Sequence, residues 1–130
     1  MNKNITTTFT SLTTILVLLS LTMSSCEYEF IEVDLPDPNV PVSFSADILP
    51  IFNANNNCIA CHKTGGTSPD LTTDRAYNSI VPSLINTANP ELSKIYVYPS
   101  PSSPNHSFKK YTQVQAAQVL AWIKQGAENN

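Results

Sequence analysis

One five-residue segment, Cys58-Ile59-Ala60-Cys61-His62, constrains this chain more than any other feature. Two cysteines separated by two residues and followed by histidine have the spacing that attaches a c-type haem, through two thioether bonds and one axial imidazole. Thiols one turn apart reach the two vinyl groups of one porphyrin, and the next side chain directs its imidazole at the iron. The segment therefore predicts one covalent haem c, with Cys58 and Cys61 as thioether residues and His62 as the proximal iron ligand.

Three other uses of the same side chains are weaker hypotheses. Cys58 and Cys61 could form a disulfide in an oxidising compartment. A zinc site would need both cysteines together with His62 and His106, yet the neighbouring Cys61 and His62 cannot easily converge on one tetrahedral ion. A thioredoxin-like redox pair expects a βαβ pattern, which the sequence lacks. Haem attachment remains the favoured interpretation.

Residues 1–25 have the pattern of a bacterial lipoprotein signal peptide. A short basic segment is followed by an apolar segment over 15–21 that is too short to span a membrane comfortably. Residues 23–26 (Met-Ser-Ser-Cys) resemble a lipobox, whose cysteine is acylated and becomes the mature N-terminus. We expect lipid on Cys26 to anchor the protein outside the cytoplasm, on the periplasmic face or the cell surface, with the outer membrane favoured. A plain secreted protein and a retained N-terminal anchor are the alternatives.

The three cysteines then have separate uses, one for the lipid and two for the haem, with none left over. Residues 27–41 contain three prolines and five acidic residues, which predicts an extended tether over 26–42. A short strand over 30–35 is the alternative. The folded domain is expected over 43–130.

Composition restricts the partners and the size of the core. The formal charge is −3 and only 13% of the residues are charged, so we expect no nucleic-acid partner, because phosphates require a basic surface. A domain this short buries a small core from its side chains alone. We therefore expect the domain without haem to be loose or unfolded.

Apolar spacing and capping residues predict an all-α domain of short helices. The first helix should begin after Ser45 or Ala46, with Asp47 in its first turn, and should be short or kinked at Pro50. Two further short helices are expected over residues 74–80 and 89–98, the latter capped by Asn89 and begun by Pro90, and residues 100–107 are expected to form a loop.

The last helix has the clearest pattern. Thr112 and Gln115 form a capping box, and the helix should end around Gly126. Trp122 is expected on the flank of an apolar stripe formed by Ala116, Val119, Leu120 and Ile123.

The chain resembles the small class I cytochrome c domains of bacterial lipoproteins in four segments. These are Ile51-Phe52 before the haem motif, Gly65-Gly66 and Pro-Asp-Leu-Thr (69–72) after it, and residues 121–127. The resemblance covers residues 43–130. It implies a cytochrome c-like all-α fold wrapped around the haem, in which the first and last helices cross and Phe52 meets Trp122. It also implies that the carbonyl of Pro69 accepts a hydrogen bond from the proximal imidazole.

The sixth iron ligand departs from that family. Class I cytochromes commonly use methionine, but Met1 and Met23 both precede the expected cleavage site. The second histidine, His106, lies just before the last helix, where the family has its distal loop, so we assign it to the distal iron position. An open or water-bound iron, and coordination by Lys109 or Lys110, are the alternatives.

These features predict an electron carrier and not an enzyme. Bis-histidine iron has a lower reduction potential than iron ligated by methionine. Its partners would be redox proteins, with the membrane contacted through the lipid. The alternative is a five-coordinate haem enzyme or sensor that binds peroxide or a small gas, and a third class is a lipoprotein whose haem only accompanies a larger complex.

Overall fold

The structure is a computed structural model that describes residues 35–37 and 39–130. The predicted signal peptide, Cys26, and most of the tether and of the alternative strand over 30–35 lie outside the described residues. Within the described part, all regular structure is helical and there is no β-strand, which confirms the all-α class. None of the helices in this part is long and apolar enough to cross a bilayer.

Short helices follow one another along the chain and are joined by loops. In order they are a π-helical turn (Phe44–Ile48), α1 (Leu49–Asn53), a 3₁₀ turn (Ala54–Asn56), α2 (Ala76–Ile80), a second 3₁₀ turn (Pro90–Leu92), α3 (Lys94–Val97) and α4 (Gln113–Lys124).

The first helical segment begins earlier than predicted and changes geometry at Pro50. Ser43 caps it, since its hydroxyl accepts from the N–H of Ala46 (3.2 Å) and its own N–H donates to the carboxylate of Asp47 (2.7 Å). Proline is tolerated at the start of a helix, where its missing N–H costs little. Here it lies at the start of α1, where the π-helical turn gives way to α-helix. The prediction of a short or kinked helix is confirmed, with its start moved to Phe44.

The middle helices are shorter than predicted. The segment expected over 74–80 is helical only from Ala76, and the segment expected over 89–98 is divided at Ser93, which has extended backbone angles. The buried hydroxyl of Ser93 accepts a hydrogen bond from the N–H of Asn86 (2.9 Å), and this contact with the preceding loop fixes the break. Asn89 makes no capping hydrogen bond with its side chain.

The capping box of α4 forms as predicted. Thr112 accepts from the N–H of Gln115 (3.2 Å), and the side chain of Gln115 accepts from the N–H of Thr112 (2.9 Å). The buried face of the helix is rotated from the predicted stripe, because Trp122 is 1% exposed whereas Leu120 is only half-buried. Burial of the indole is possible since its N–H donates to the carbonyl of Glu128 (2.9 Å).

The contact between the first and last helical segments depends on Phe44 and not on Phe52. The ring of Phe44 lies 5.3 Å from Trp122 and 5.2 Å, edge-on, from Tyr77. The expectation that Phe52 meets Trp122 was wrong. The part of the first helical segment that packs against α4 is the π-helical turn that begins at Phe44, eight residues before Phe52. Phe52 is fully buried and instead lines the cavity described below.

The residues that precede the first helix are packed on the end of α4. The side chain of Gln125 accepts from the N–H of Val42 (2.8 Å) and donates to the carbonyl of Val40 (3.0 Å). Asn130 accepts from the N–H groups of Phe44 (2.7 Å) and Ser45 (2.9 Å). The packed chain therefore begins at about Val40, slightly before the predicted start of the domain.

Candidate haem site

The two cysteines and His62 lie on one turn of the chain with helix-like hydrogen bonds. The N–H groups of Cys61 (3.2 Å) and His62 (2.9 Å) both donate to the carbonyl of Cys58, whose own N–H donates to Phe52 (2.8 Å) at the end of α1. Cys58 is half-buried, Cys61 is exposed, and both thiols are free. The turn places both sulfurs beside one cavity, as two thioether bonds to a single macrocycle require.

The segment after the motif folds back over it and orients His62. The Nδ1 atom of His62 is 3.2 Å from the carbonyl oxygen of Pro69, the contact that the cytochrome resemblance implied. The N–H of Leu71 donates to the carbonyl of His62 (2.9 Å) and fixes the same segment. An imidazole that donates through Nδ1 has its lone pair on Nε2, which is the tautomer that a metal ligand needs.

His106 lies across from His62. Their ring centroids are 6.0 Å apart and their planes differ by 21°. Two metal–nitrogen bonds of about 2 Å each, with about 1 Å from each nitrogen to its ring centre, separate two imidazoles on one metal ion by about 6 Å. That sum applies to rings whose nitrogens point at each other, and the centroid spacing of His62 and His106 matches it.

The Nδ1 atom of His106 is buried, with no hydrogen-bond partner in the part of the chain that the structure describes. Burying a ring nitrogen without a partner is unfavourable. A bound group at Nδ1 itself would remove this penalty, whereas a metal ion on Nε2 would leave Nδ1 without a partner.

The two lysines considered as distal ligands have other partners. The ammonium group of Lys110 donates to the carbonyl of Ser103 (2.5 Å), and that of Lys109 lies 3.5 Å from the carbonyl of Asn56. These contacts favour His106 over either lysine as the distal ligand.

A cavity of about 430 Å³ lies beside the two histidines, and one of about 260 Å³ adjoins it on the side of Cys61. Cys58, His62 and His106 line both cavities, and the volume of the larger one is in the range of small-molecule and cofactor sites. The walls of the larger cavity are mainly apolar, formed by Phe52, Leu71, Leu84, Ile95, Pro99 and Tyr111. A flat, mostly apolar macrocycle suits such walls.

Three of the tyrosines have packing roles. Tyr77 belongs to the aromatic core with Phe44, and Tyr98 and Tyr111 line the larger cavity. The buried hydroxyl of Tyr111 donates to the carbonyl of Ile95 (3.0 Å), and burial raises its pKa far above the ordinary value. Tyr111 is thus an uncharged wall residue.

Burial also raises the pKa of the Cys58 thiol, an effect that the nearby charge of Lys109 only partly opposes. Activated cysteines, in contrast, have lowered pKa values because the thiolate is the nucleophile. The environment of Cys58 therefore argues against a redox-active or catalytic thiol and is compatible with a buried thioether.

No protein family, curated protein or solved structure matches this chain. Among residues 35–37 and 39–130, no three His, Cys, Asp or Glu side chains are grouped to hold a metal ion. Haem iron needs only one or two protein ligands, because the porphyrin supplies the remaining donors.

Gly66 is a site residue whose importance the sequence pattern did not reveal. A Cβ atom at this position would lie 2.4 Å from the carbonyl oxygen of Cys61, whereas a Cβ at Gly65 would meet nothing within 4 Å. The carbonyl of Cys61 also accepts from the N–H of Thr67 (2.9 Å), so it cannot move freely.

We therefore expect Gly66→Ala to destabilise the protein by about 2–3 kcal/mol, because the motif turn or the 65–67 turn must shift. Gly65→Ala is the matched control and should cost about 1 kcal/mol, owing to the left-handed backbone (φ +77) at that residue. Urea unfolding followed by circular dichroism measures both. Equal stability of the two variants would contradict the close approach of Gly66 to Cys61.

Asp70 fixes the same segment and gives it a pH dependence. Its carboxylate accepts hydrogen bonds from the hydroxyls of Thr64 and Thr72, both at 2.6 Å. These bonds, the one from Thr64 first, hold the pKa of Asp70 below its ordinary value of 3.8. Because the folded state binds this proton less readily than the unfolded state, the stabilisation is present above the ordinary pKa and is lost as the pH falls below it.

We expect Asp70→Asn to be less stable than the wild type at neutral pH, and the difference to shrink as the pH falls from about 5 to about 2.5. Urea unfolding at several pH values checks this. Asp74→Asn, which alters an exposed acid in the same region, should differ little from the wild type across the range. A difference for Asp70→Asn that does not change with pH would contradict the role of its ionised carboxylate.

Proposed function

We propose that this chain is a lipid-anchored monohaem cytochrome c that transfers single electrons between redox partner proteins outside the cytoplasm. The observation that best supports it is the 6.0 Å spacing of His62 and His106 beside a cavity bordered by the cysteines of the motif. In this proposal Cys58 and Cys61 form the thioether bonds, His62 is the proximal ligand and His106 the distal one.

When bound, haem c supplies an iron that alternates between its ferrous and ferric states and so stores one electron. The chain's own residues do the rest. The carbonyl of Pro69 fixes the orientation and tautomer of His62, and two neutral imidazoles can remain ligands in both oxidation states. The apolar walls of the cavity exclude water. With histidine on both sides, we expect a low reduction potential relative to methionine-ligated cytochromes.

The packing of the first helical segment on α4, through Phe44 and Trp122, is compatible with a cytochrome c-like fold. The lipid on Cys26 and the tether over 26–42 would hold the domain near the membrane, with the outer membrane favoured. These parts of the proposal rest on the sequence pattern.

The test is a pyridine haemochrome spectrum together with the intact mass of the mature protein, made in a host with c-type maturation machinery. We expect a c-type spectrum and a mass equal to residues 26–130 plus one haem and the acyl groups. The same chain made without that machinery is the control and should be colourless. Colourless protein from the competent host, with the mass of polypeptide and acyl groups alone, would overturn the proposal.

The same material separates the carrier from the alternative of an open haem enzyme or sensor. A carrier with both axial positions filled gives a low-spin ferric spectrum that modest cyanide leaves unchanged, and its ferrous form binds carbon monoxide slowly. A high-spin spectrum with rapid ligand binding would favour the alternative.

A further inference from the structure

His106 lies in a long loop that is closed at its base. We name residues 99–111 the distal loop. The N–H of Tyr111 donates to the carbonyl of Pro99 (2.8 Å), and the side chain of Tyr111 is buried and bonded to Ile95. The two ends of the loop are thereby fixed to each other and to the wall of the larger cavity.

The interior of the loop has little backbone support. The N–H of Ser103 donates to the carbonyl of Ser100 (3.0 Å), and the hydroxyl of Ser103 accepts from the N–H of Asn105 (3.2 Å). Residues 104–110, within the described chain, make no backbone-to-backbone hydrogen bond. Such segments open locally at low free-energy cost unless side chains hold them.

One side chain spans this unsupported part. The ammonium group of Lys110 donates to the carbonyl of Ser103 (2.5 Å) and lies 3.5 Å from that of Pro101. Hydrogen bonds from a charged donor are stronger than those between neutral groups. His106 lies in the sequence between Ser103 and Lys110, so this contact closes a small ring of chain that contains the histidine.

We propose that Lys110 is a positioning residue that keeps the distal loop closed and so holds His106 opposite His62. The inference rests on the proposed function, because it assigns to Lys110 the control of distal ligation. The closed loop would hold His106 beside His62, where both imidazoles could ligate the haem iron. An open loop would take His106 away from that site and leave room for an external ligand.

The test measures the rate at which carbon monoxide binds to the ferrous holoprotein. Carbon monoxide can bind only after His106 has dissociated from the iron. The binding rate therefore reports the fraction of molecules in which the distal loop is open. We expect Lys110→Met to bind carbon monoxide about tenfold faster than the wild type. This factor corresponds to the low end of the free energies measured for hydrogen bonds to charged groups, as suits a partly exposed site. Lys110→Arg, which keeps the charge and the donors, should restore the wild-type rate to within about threefold.

Lys124→Met is the matched control, because it also replaces a lysine by methionine. Lys124 lies on α4, outside the distal loop, and forms an exposed ion pair with Glu91 (2.8 Å). It should bind carbon monoxide at the wild-type rate. His106→Ala gives the upper limit of the carbon monoxide binding rate, because this variant has no distal histidine to dissociate. Should Lys110→Met fail to give holoprotein, Lys110→Gln is measured against the same criterion.

A Lys110→Met rate equal to the wild type, with His106→Ala fast, would overturn the role of Lys110 and leave the distal assignment of His106 intact. A wild-type rate as fast as that of His106→Ala would show that His106 does not fill the sixth position, and would overturn both. Protein without haem would overturn the proposed function itself.

Discussion

Protein in which both Cys58 and Cys61 are replaced by alanine will contain no covalently attached haem, whereas the wild type will contain one per chain. The two sulfurs lie on a single turn beside the same cavity, and nothing else in the motif can form a thioether. Acid–acetone extraction followed by a haem stain and intact mass measures the loss. The single variants should each retain at most one bond and shift the haemochrome band toward longer wavelength.

Loss of the haem should also remove most of the stability of the domain. Without the haem, the mainly apolar walls of the larger cavity lose the surface that would cover them. A small domain has a stability of only roughly 5–15 kcal/mol to lose. We therefore expect the double variant to unfold without a cooperative transition.

Cys26→Ala provides the control for this experiment, because it removes the predicted acylation site and leaves the haem motif unchanged. It should carry a full complement of haem and lack the acyl groups in its intact mass. Haem that stays bound to the Cys58/Cys61 double variant after acid extraction would contradict the attachment, and a Cys26→Ala protein whose mass still includes acyl groups would contradict the lipidation of Cys26.

His106→Ala is the second change with a large expected effect. The ferric spectrum should change from low-spin to high-spin, and carbon monoxide should bind to the ferrous form at least about 100-fold faster, because one strong-field ligand is lost while the other remains. Ser102→Ala alters an exposed residue of the same loop and should leave both properties unchanged. A low-spin spectrum that survives in His106→Ala would remove this histidine as the distal ligand.

The features that could be predicted from the sequence depend on residues close together in the chain. The capping box of Thr112 and Gln115 needs only one helical turn, and the turn of Cys58 to His62 is specified by its own spacing. The contact of Pro69 with His62 came from a resemblance, yet it too spans only seven residues.

The features that were missed depend on contacts between distant segments. The partner of Trp122 is Phe44, and the local pattern could not distinguish it from Phe52, since both are large apolar residues of the first helical segment. The apolar stripe of α4 likewise could not show that Trp122 is buried more deeply than Leu120. The contact of Lys110 with Ser103 is an exception, because it spans only seven residues but lies in a loop that has no periodic pattern from which it could be predicted.

The two hydrogen bonds between Gln125 and the backbone at Val40 and Val42 have a consequence for how far the domain can travel. They fix the start of the packed chain at Val40, 14 residues after Cys26. A fully extended chain of that length reaches about 50 Å at most. A lipidated form would therefore search a thin layer above the bilayer surface, and membrane proteins whose own redox centres protrude into that layer would be the donors and acceptors within its range.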